Sequence, residues 1–263
     1  MNAIYHRPTP AQKAGRIVAV ASGKGGVGKT WFAISLAHAL ARQDRRVLLF
    51  DGDLGLANVD IQLGLTPDRD IGGVIAGLGT LPDAAEYFPA GGFDVVSGRS
   101  GSGTFSTLDA DTLQRVLSAL RRAAIRYDSI LLDVGAGLDR TVRTLCAFAD
   151  TLLVLATEEP TSLTDAYAVL KLHAADHAGG DARIIVNQAM SKAVGERTYA
   201  TLARACTTFL GKTPPLAGVV RRDERVKDAI RRQTLLLALH PTATAASDIE
   251  AVARDLCAEA MEL

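Results

Sequence analysis

Between an apolar run, Ile17 to Ala21, and a helix-patterned segment, Trp31 to Gln43, the chain reads Ser22-Gly23-Lys24-Gly25-Gly26-Val27-Gly28-Lys29-Thr30. Glycines at 23, 25, 26 and 28 free successive backbone N–H groups to curl around one anion. A helix that starts directly behind them turns the positive end of its dipole to the same point. Gly-x-x-x-x-Gly-Lys-Thr between a strand and a helix is a phosphate-binding loop, in which Lys29 reaches the β- and γ-phosphates and Thr30 offers its hydroxyl to Mg²⁺. A merely flexible glycine turn would not require those flanks. Lys24 needs a separate reason, because it adds a second cation to a loop whose phosphates Lys29 already neutralises.

Such a loop belongs to a strand–helix alternation, and the rest of the chain supplies one. Short β-type runs stand at Ile17 to Ala21, Val47 to Phe50, Phe93 to Val96, Ser129 to Leu132, Leu152 to Ala156, Arg183 to Val186 and Leu216 to Val220. Apolar residues between them recur at helical spacing, as in Phe32, Leu36, Ala39 and Leu40, or Leu113, Val116, Leu117 and Leu120. This alternation predicts βαβ units and an α/β fold with a mostly parallel sheet flanked by helices. At 263 residues and 48% hydrophobic, one large core suffices. The expected organisation is a mobile leader over 1–15 and one P-loop domain over 16–263 that ends in a helix. Residues 54–92 read as irregular and 97–106 as a Ser/Gly loop.

Composition narrows the function classes. Lys plus Arg equals Asp plus Glu, so no chain-wide basic footprint points to nucleic acid or anionic membrane. Cys146, Cys206 and Cys257 are widely spaced and form no C-x-x-C, the pattern of reduced core thiols. No apolar run approaches the roughly 18 residues that a spanning helix needs. His6, His38, His173, His177 and His240 form no metal-spaced cluster, although His173 and His177 stand four apart.

Ligands of open parallel sheets lie at the carboxyl ends of the strands, so acids there matter most. Asp51 and Asp53 follow one apolar run and Asp133 another. We read Asp133 as the Walker B carboxylate of the Mg²⁺ shell and the Asp51/Asp53 pair as a switch that meets the attacking water, with Asp53 also near the metal. Small residues after Asp133, Val134 to Gly137, let backbone approach the γ-phosphate as a second switch. The cluster Arg221, Arg222, Arg225, Lys227, Arg231 and Arg232, interrupted by Asp223, Glu224 and Asp228, reads as a solvated helix face, with DNA or an acidic partner as the alternatives. Near the end, Ile249, Val252, Leu256 and Leu263 make a helical stripe. Asp248, Glu250, Asp255, Glu259 and Glu262 outnumber Arg254 there, so the helix is expected to dock on the chain's own core rather than on anionic lipid.

The loop Gly23 to Thr30 resembles the deviant Walker A motif of the MinD/ParA ATPases. That family has a doubly wound parallel sheet and acts as a dimer sandwiching ATP. Within it the chain is similar to the FlhG branch of flagellar number and placement regulators, through Asp51-Gly52-Asp53-Leu54-Gly55-Leu56-Ala57-Asn58-Val59-Asp60 with Leu63-Gly64-Leu65, through Glu159-Pro160-Thr161-Ser162-Leu163-Thr164-Asp165-Ala166-Tyr167, and through Asp223 with Val226 and Gln233. The resemblance runs from about Arg16 to Ala253. It implies ATP and Mg²⁺ as cofactors, with Gly23, Lys24, Gly25, Gly26, Val27, Gly28, Lys29, Thr30 and Trp31 among the ATP-binding residues. Lys24 would cross to a second copy's phosphates, Asp53 would orient the hydrolytic water and Asp51 would support the switch. Asn187 would read the adenine edge, and Arg221, Arg222 and Asp223 would close over the base, with Arg221 replacing a usual proline. An N-terminal D-Q-A-x-x-L-R element, which stimulates a GTPase partner in many members, is not found in Met1 to Arg16.

The implied function is an ATP-hydrolysing dimerisation switch that controls flagellar number or placement. Its partners would be a second copy and an FlhF-like GTPase, flagellar C-ring proteins or a flagellar transcription regulator. The implied location is the cytoplasm, with the inner face of the cell membrane or the pole as peripheral stations. A MinD-like cell-division ATPase and a ParA-like DNA partition ATPase are the alternatives. The acidic C-terminal helix argues against the first, and salt-sensitive DNA binding would mark the second. A metabolic P-loop kinase is the remotest, because Lys24 has no task in one.

Overall fold

The computed structural model describes residues 14–53, 58–98 and 109–262, with side chains as far as 259. In chain order its elements are β1 (Arg16–Ser22), α1 (Lys29–Ala41), β2 (Val47–Gly52), α2 (Val59–Leu63), α3 (Ile71–Ile75), α4 (Leu81–Ala84), β3 (Glu86–Phe88), β4 (Phe93–Val96), α5 (Ala110–Ala123) and β5 (Ser129–Ala136). There follow α6 (Arg140–Phe148), β6 (Thr151–Ala156), α7 (Pro160–Asp176), β7 (Asp181–Ala189), α8 (Lys192–Leu210), β8 (Leu216–Arg221), α9 (Glu224–Arg231), α10 (Leu236–Leu239) and α11 (Thr244–Glu262).

The strands form one sheet in the order β3-β4-β2-β5-β1-β6-β7-β8, parallel except for the β3–β4 edge pair. β1 lies between β5 and β6, and the chain leaves it first toward β2 and β4 and later, on the other side, toward β7 and β8. The crevice at its carboxyl end is therefore the switch point where such sheets bind ligands. β2 and β6 are buried at every position and β1 from Ile17 onward, as strands covered on both faces must be.

One core holds the sheet face packed by α3 to α8, and the other the face packed by α1, α9, α10 and α11. α5 buries Leu113, Val116, Leu117 and Leu120, the stripe its spacing predicts. α1 behaves differently. Every residue from Trp31 to Leu40 is buried, because α11 packs over the helix from outside while the sheet lies beneath it. A helix covered on both sides needs no polar face.

α11 docks through Ile249, Val252 and Leu256, as expected, although it begins at Thr244 rather than Asp248. Its acids are absorbed by distant arginines: Asp248 pairs with Arg221 at 2.7 Å, Glu250 with Arg42 at 2.9 Å, and Glu259 with Arg16 and Arg183. Three other expectations need correction. Gly15 belongs to the fold rather than to a leader, since its N–H donates to the Ala124 carbonyl at 2.7 Å. β7 is longer than the run Arg183 to Val186 at both ends. The stretch read as irregular contains α2, α3, α4 and β3, short elements whose limits are set by local caps such as Asp70 on Gly72 N–H and the Thr80–Asp83 capping box. Residues 1–13 of the expected leader, Leu54 to Ala57, most of the Ser/Gly loop and Leu263 lie outside the described residues. No described helix is long and apolar enough to cross a membrane.

Candidate nucleotide site

The loop from Gly23 to Gly28 leaves β1 at the crevice and enters α1. Gly23 has no room for a side chain, since a Cβ there would stand 2.5 Å from the Asp165 carbonyl oxygen at the start of α7. Gly28 has φ 89°, and a Cβ would meet Asn187 Nδ2 at 2.7 Å. Gly25 and Gly26 face open space instead. The N-terminus of α1 carries no capping side chain and no acid in its first turn, whereas Asp109, Asp139, Ser191 and Asp223 cap α5, α6, α8 and α9. The first N–H groups of α1 are thus left for an anion.

Three carboxylates converge beside this terminus. Asp51 and Asp133 are register partners on adjacent strands, and both are buried. Asp51 is spent on backbone: Oδ1 accepts from Asp53 N at 3.1 Å, and Oδ2 accepts from Asn58 N at 2.9 Å and Val59 N at 3.0 Å. Burial, reinforced by the Asp133 charge, pushes its carboxyl up to about 7 against those three donors. Asp133 is pushed up to about 6 by burial, opposed by the Thr30 hydroxyl and the Lys29 ammonium and reinforced by Asp53. Its Oδ1 has no hydrogen-bond partner among the described residues. Asp53 lies over Gly135, whose Cβ would come 3.5 Å from the Asp53 carboxyl carbon. An orphaned, buried carboxylate oxygen beside a Thr hydroxyl, a lysine and a second carboxylate fits a hard divalent cation such as Mg²⁺.

Lys24 points away from this cluster. Its Nζ donates to Glu159 Oε2 at 2.6 Å and to Thr161 Oγ1 at 3.2 Å, at the start of α7. Glu159 opens one of the stretches that carry the family resemblance, yet nothing in its spacing marks it as the partner of Lys24, 135 positions away.

Beyond Gly28 the crevice opens into a pocket of about 230 Å³ between the loop, β7 and α9. Its wall includes Gly26, Trp31, Asn187, Val226 and Ile230 as well as Arg221, Arg222 and Asp223. Asn187, 2% exposed, donates through Nδ2 to the Val27 carbonyl at 2.8 Å and accepts through Oδ1 from Gln188 N at 2.9 Å, so one amide hydrogen and one lone pair remain to it. The Arg221 guanidinium is held bidentately by Asp248, and Asp223 accepts from Arg225 and from the Thr244 hydroxyl, which hold its carboxyl well below the usual range. Arg222 is exposed, and its guanidinium stands 3.6 Å from Glu224. Gln188, Glu224, Val226, Lys227 and Ile230 also line this wall although they were not among the expected site residues, and the contact of Gln233 Nε2 with the Ile61 carbonyl at 2.8 Å was not foreseen either. The other cationic side chains near α9 are largely matched by acids: Lys227 by Glu224, Arg225 by Asp223 and Arg232 by Asp228. Among the described residues no group of three or more His, Cys, Asp or Glu side chains could hold a metal by itself.

A glycine loop on an uncapped helix at a parallel-sheet switch point, with strand-end carboxylates beside it, defines a P-loop nucleotide-binding α/β protein. Residues 18–236 match the CobQ/CobB/MinD/ParA nucleotide binding domain, and the chain belongs to that family. It is 37% identical over 239 residues to the antiactivator FleN of Pseudomonas aeruginosa, covering 91% of this chain and 85% of that one. It is 27% identical over 247 residues to the flagellum site-determining protein YlxH of Helicobacter pylori, covering 90% and 80%. Its fold superposes on that of the septum site-determining protein MinD of Pyrococcus horikoshii, solved with Mg-ADP, with a TM-score of 0.74 at 23% identity, over 92% of this chain and 96% of the other.

Proposed function

We propose that the chain is an ATP-switched regulator of flagellar number or placement, which binds ATP with Mg²⁺, pairs with a second copy, acts through protein partners and separates after slow hydrolysis to ADP and phosphate. The observation that carries this reading is the likeness, along nearly the whole chain, to FleN and YlxH, whose names describe an antiactivator and a determinant of flagellar site. An antiactivator works against an activator, so of the partners considered a flagellar transcription regulator fits best. An FlhF-like GTPase or C-ring proteins would serve the placement role.

In this reading the loop amides and Lys29 hold the β- and γ-phosphates, and Thr30 and Asp133 hold Mg²⁺, which would neutralise charge developing on the transferred phosphoryl. Asp51 fastens the segment carrying Asp53, and Asp53 orients the attacking water. Lys24, resting on Glu159 at the surface, is free to exchange that carboxylate for a second copy's phosphates. The pairing of the α9 cations with acids leaves little charge for a DNA backbone, which disfavours the partition reading.

Light scattering tests the dimer. The protein should be a monomer with ADP and a dimer with a non-hydrolysable ATP analogue and Mg²⁺, and Lys24→Ala should bind the analogue yet remain a monomer. Unchanged mass of the parent in the analogue would sink the mechanism. The flagellar role is tested by deleting the gene and counting flagella, with rescue expected from the parent sequence and not from Lys29→Ala.

A further inference from the structure

The chain's only tryptophan, Trp31, stands two residues past Lys29 in the first turn of α1. It is 7% exposed and forms part of the wall of the pocket between the loop, β7 and α9. Its indole Nε1–H is buried and has no acceptor among the described residues. An indole donor enclosed without an acceptor is costly, and buried tryptophan N–H groups usually find one. The wall that Trp31 shares holds the open glycine Gly26, the apolar side chains Val226 and Ile230, and Asn187, which keeps one hydrogen and one lone pair. That combination suits a flat heteroaromatic group bearing hydrogen-bonding edges and its attached sugar.

We propose that Trp31 is a recognition residue for the nucleoside moiety of the bound nucleotide: its indole packs against that moiety and its Nε1–H donates to an acceptor there, not to the phosphates. The inference rests on the nucleotide site proposed above and adds to it the group that discriminates a nucleotide from a bare polyphosphate. Because Trp31 is fixed in the same helical turn as Lys29 and Thr30, base-side and phosphate-side contacts share one rigid element. The competing account makes Trp31 a core residue against α9 that never meets ligand.

The test uses the full chain with ATP, ADP and inorganic tripolyphosphate as probes. Emission from the single tryptophan should change with ATP or ADP and stay constant with tripolyphosphate. Trp31→Phe keeps an aromatic ring and removes the donor, so it should weaken ATP binding about tenfold, the scale of one lost hydrogen bond to a ligand, and leave tripolyphosphate affinity within about twofold. Emission unmoved by bound ATP, or a Trp31→Phe protein that binds ATP like the parent, overturns the inference and leaves the phosphate site standing. A parent that binds neither ATP nor tripolyphosphate overturns the nucleotide site and this inference with it. The emission measurement needs no variant, so a misfolded Trp31→Phe does not shelter the proposal.

Discussion

At one end of the crevice, the proposed phosphate surface is drawn from six consecutive residues and the first turn of α1, whereas the walls at the other end are drawn from positions as far apart as Gly26 and Ile230. The hydrogen-bond accounting differs as well. At the phosphate end the α1 terminus is uncapped, and Asp133 Oδ1 has no hydrogen-bond partner among the described residues. The base end spends its charged groups on one another, with Arg221 on Asp248 and Asp223 on Arg225 and Thr244. Unspent donors and charges bind a ligand, and spent ones hold a shape. Affinity should therefore be concentrated at the phosphate end, with the base end contributing backbone, apolar surface and the Trp31 donor.

The largest effect is expected where that concentration is greatest. Lys29→Ala removes the cation facing the β- and γ-phosphates and should cost on the order of 10²-fold or more in ATP affinity, enough to abolish binding at ordinary concentrations. Titration with a fluorescent ATP analogue reads it. Near-parental affinity would erase the contrast between the two ends and remove Lys29 from the site.

Next comes a change that divides the phosphate end itself. Asp51 has both oxygens committed to Asp53, Asn58 and Val59 backbone, while Asp53 stands over Gly135 close to Asp133. Asp53→Ala should leave ATP affinity within a fewfold and reduce turnover on the order of 10²-fold, the usual cost of losing one oriented catalytic group. A phosphate-release assay run beside the titration separates the two. Normal turnover would mean that another group orients the water, and Asp51 is poorly placed to take over because it is buried and both its oxygens already hold backbone N–H groups.

The same contrast explains what the sequence could and could not reveal. The loop, the parallel sheet and the strand-end acids were legible because each is a short contiguous pattern with a local physical cause: glycine freedom, a helix terminus, an apolar run closed by Asp. Asn187 and Arg221 to Asp223 could be placed near the base only through the family resemblance, since no spacing joins β7, β8 and α1. Long-range ion pairs were invisible for the same reason. Lys24 with Glu159, and the acids of α11 with Arg16, Arg42, Arg183 and Arg221, join residues whose positions carry no common period. The full burial of α1 was hidden too, because its second cover, α11, lies two hundred residues downstream.

The smallest effect concerns the link between the two ends. Gln233, just past α9, adopts φ 50° and donates through Nε2 to the Ile61 carbonyl at 2.8 Å. It packs so closely on Gly64 that a Cβ there would stand 3.0 Å from Gln233 Oε1. Ile61 belongs to α2, whose first residues are fastened to Asp51, so this exposed hydrogen bond ties the base-side helix to the segment that follows Asp53. Gln233→Asn is the informative substitution. Asparagine tolerates a left-handed backbone, which alanine does not, and its shorter amide falls out of reach of Ile61. An exposed hydrogen bond is worth about 1 kcal/mol or less, so the expected result is a change in turnover of about twofold to fivefold, with ATP affinity within about twofold of the parent. A split of that kind shows Gln233 steering the switch without supplying binding energy. Loss of affinity with unchanged turnover would reverse the assignment, placing Gln233 in the binding wall.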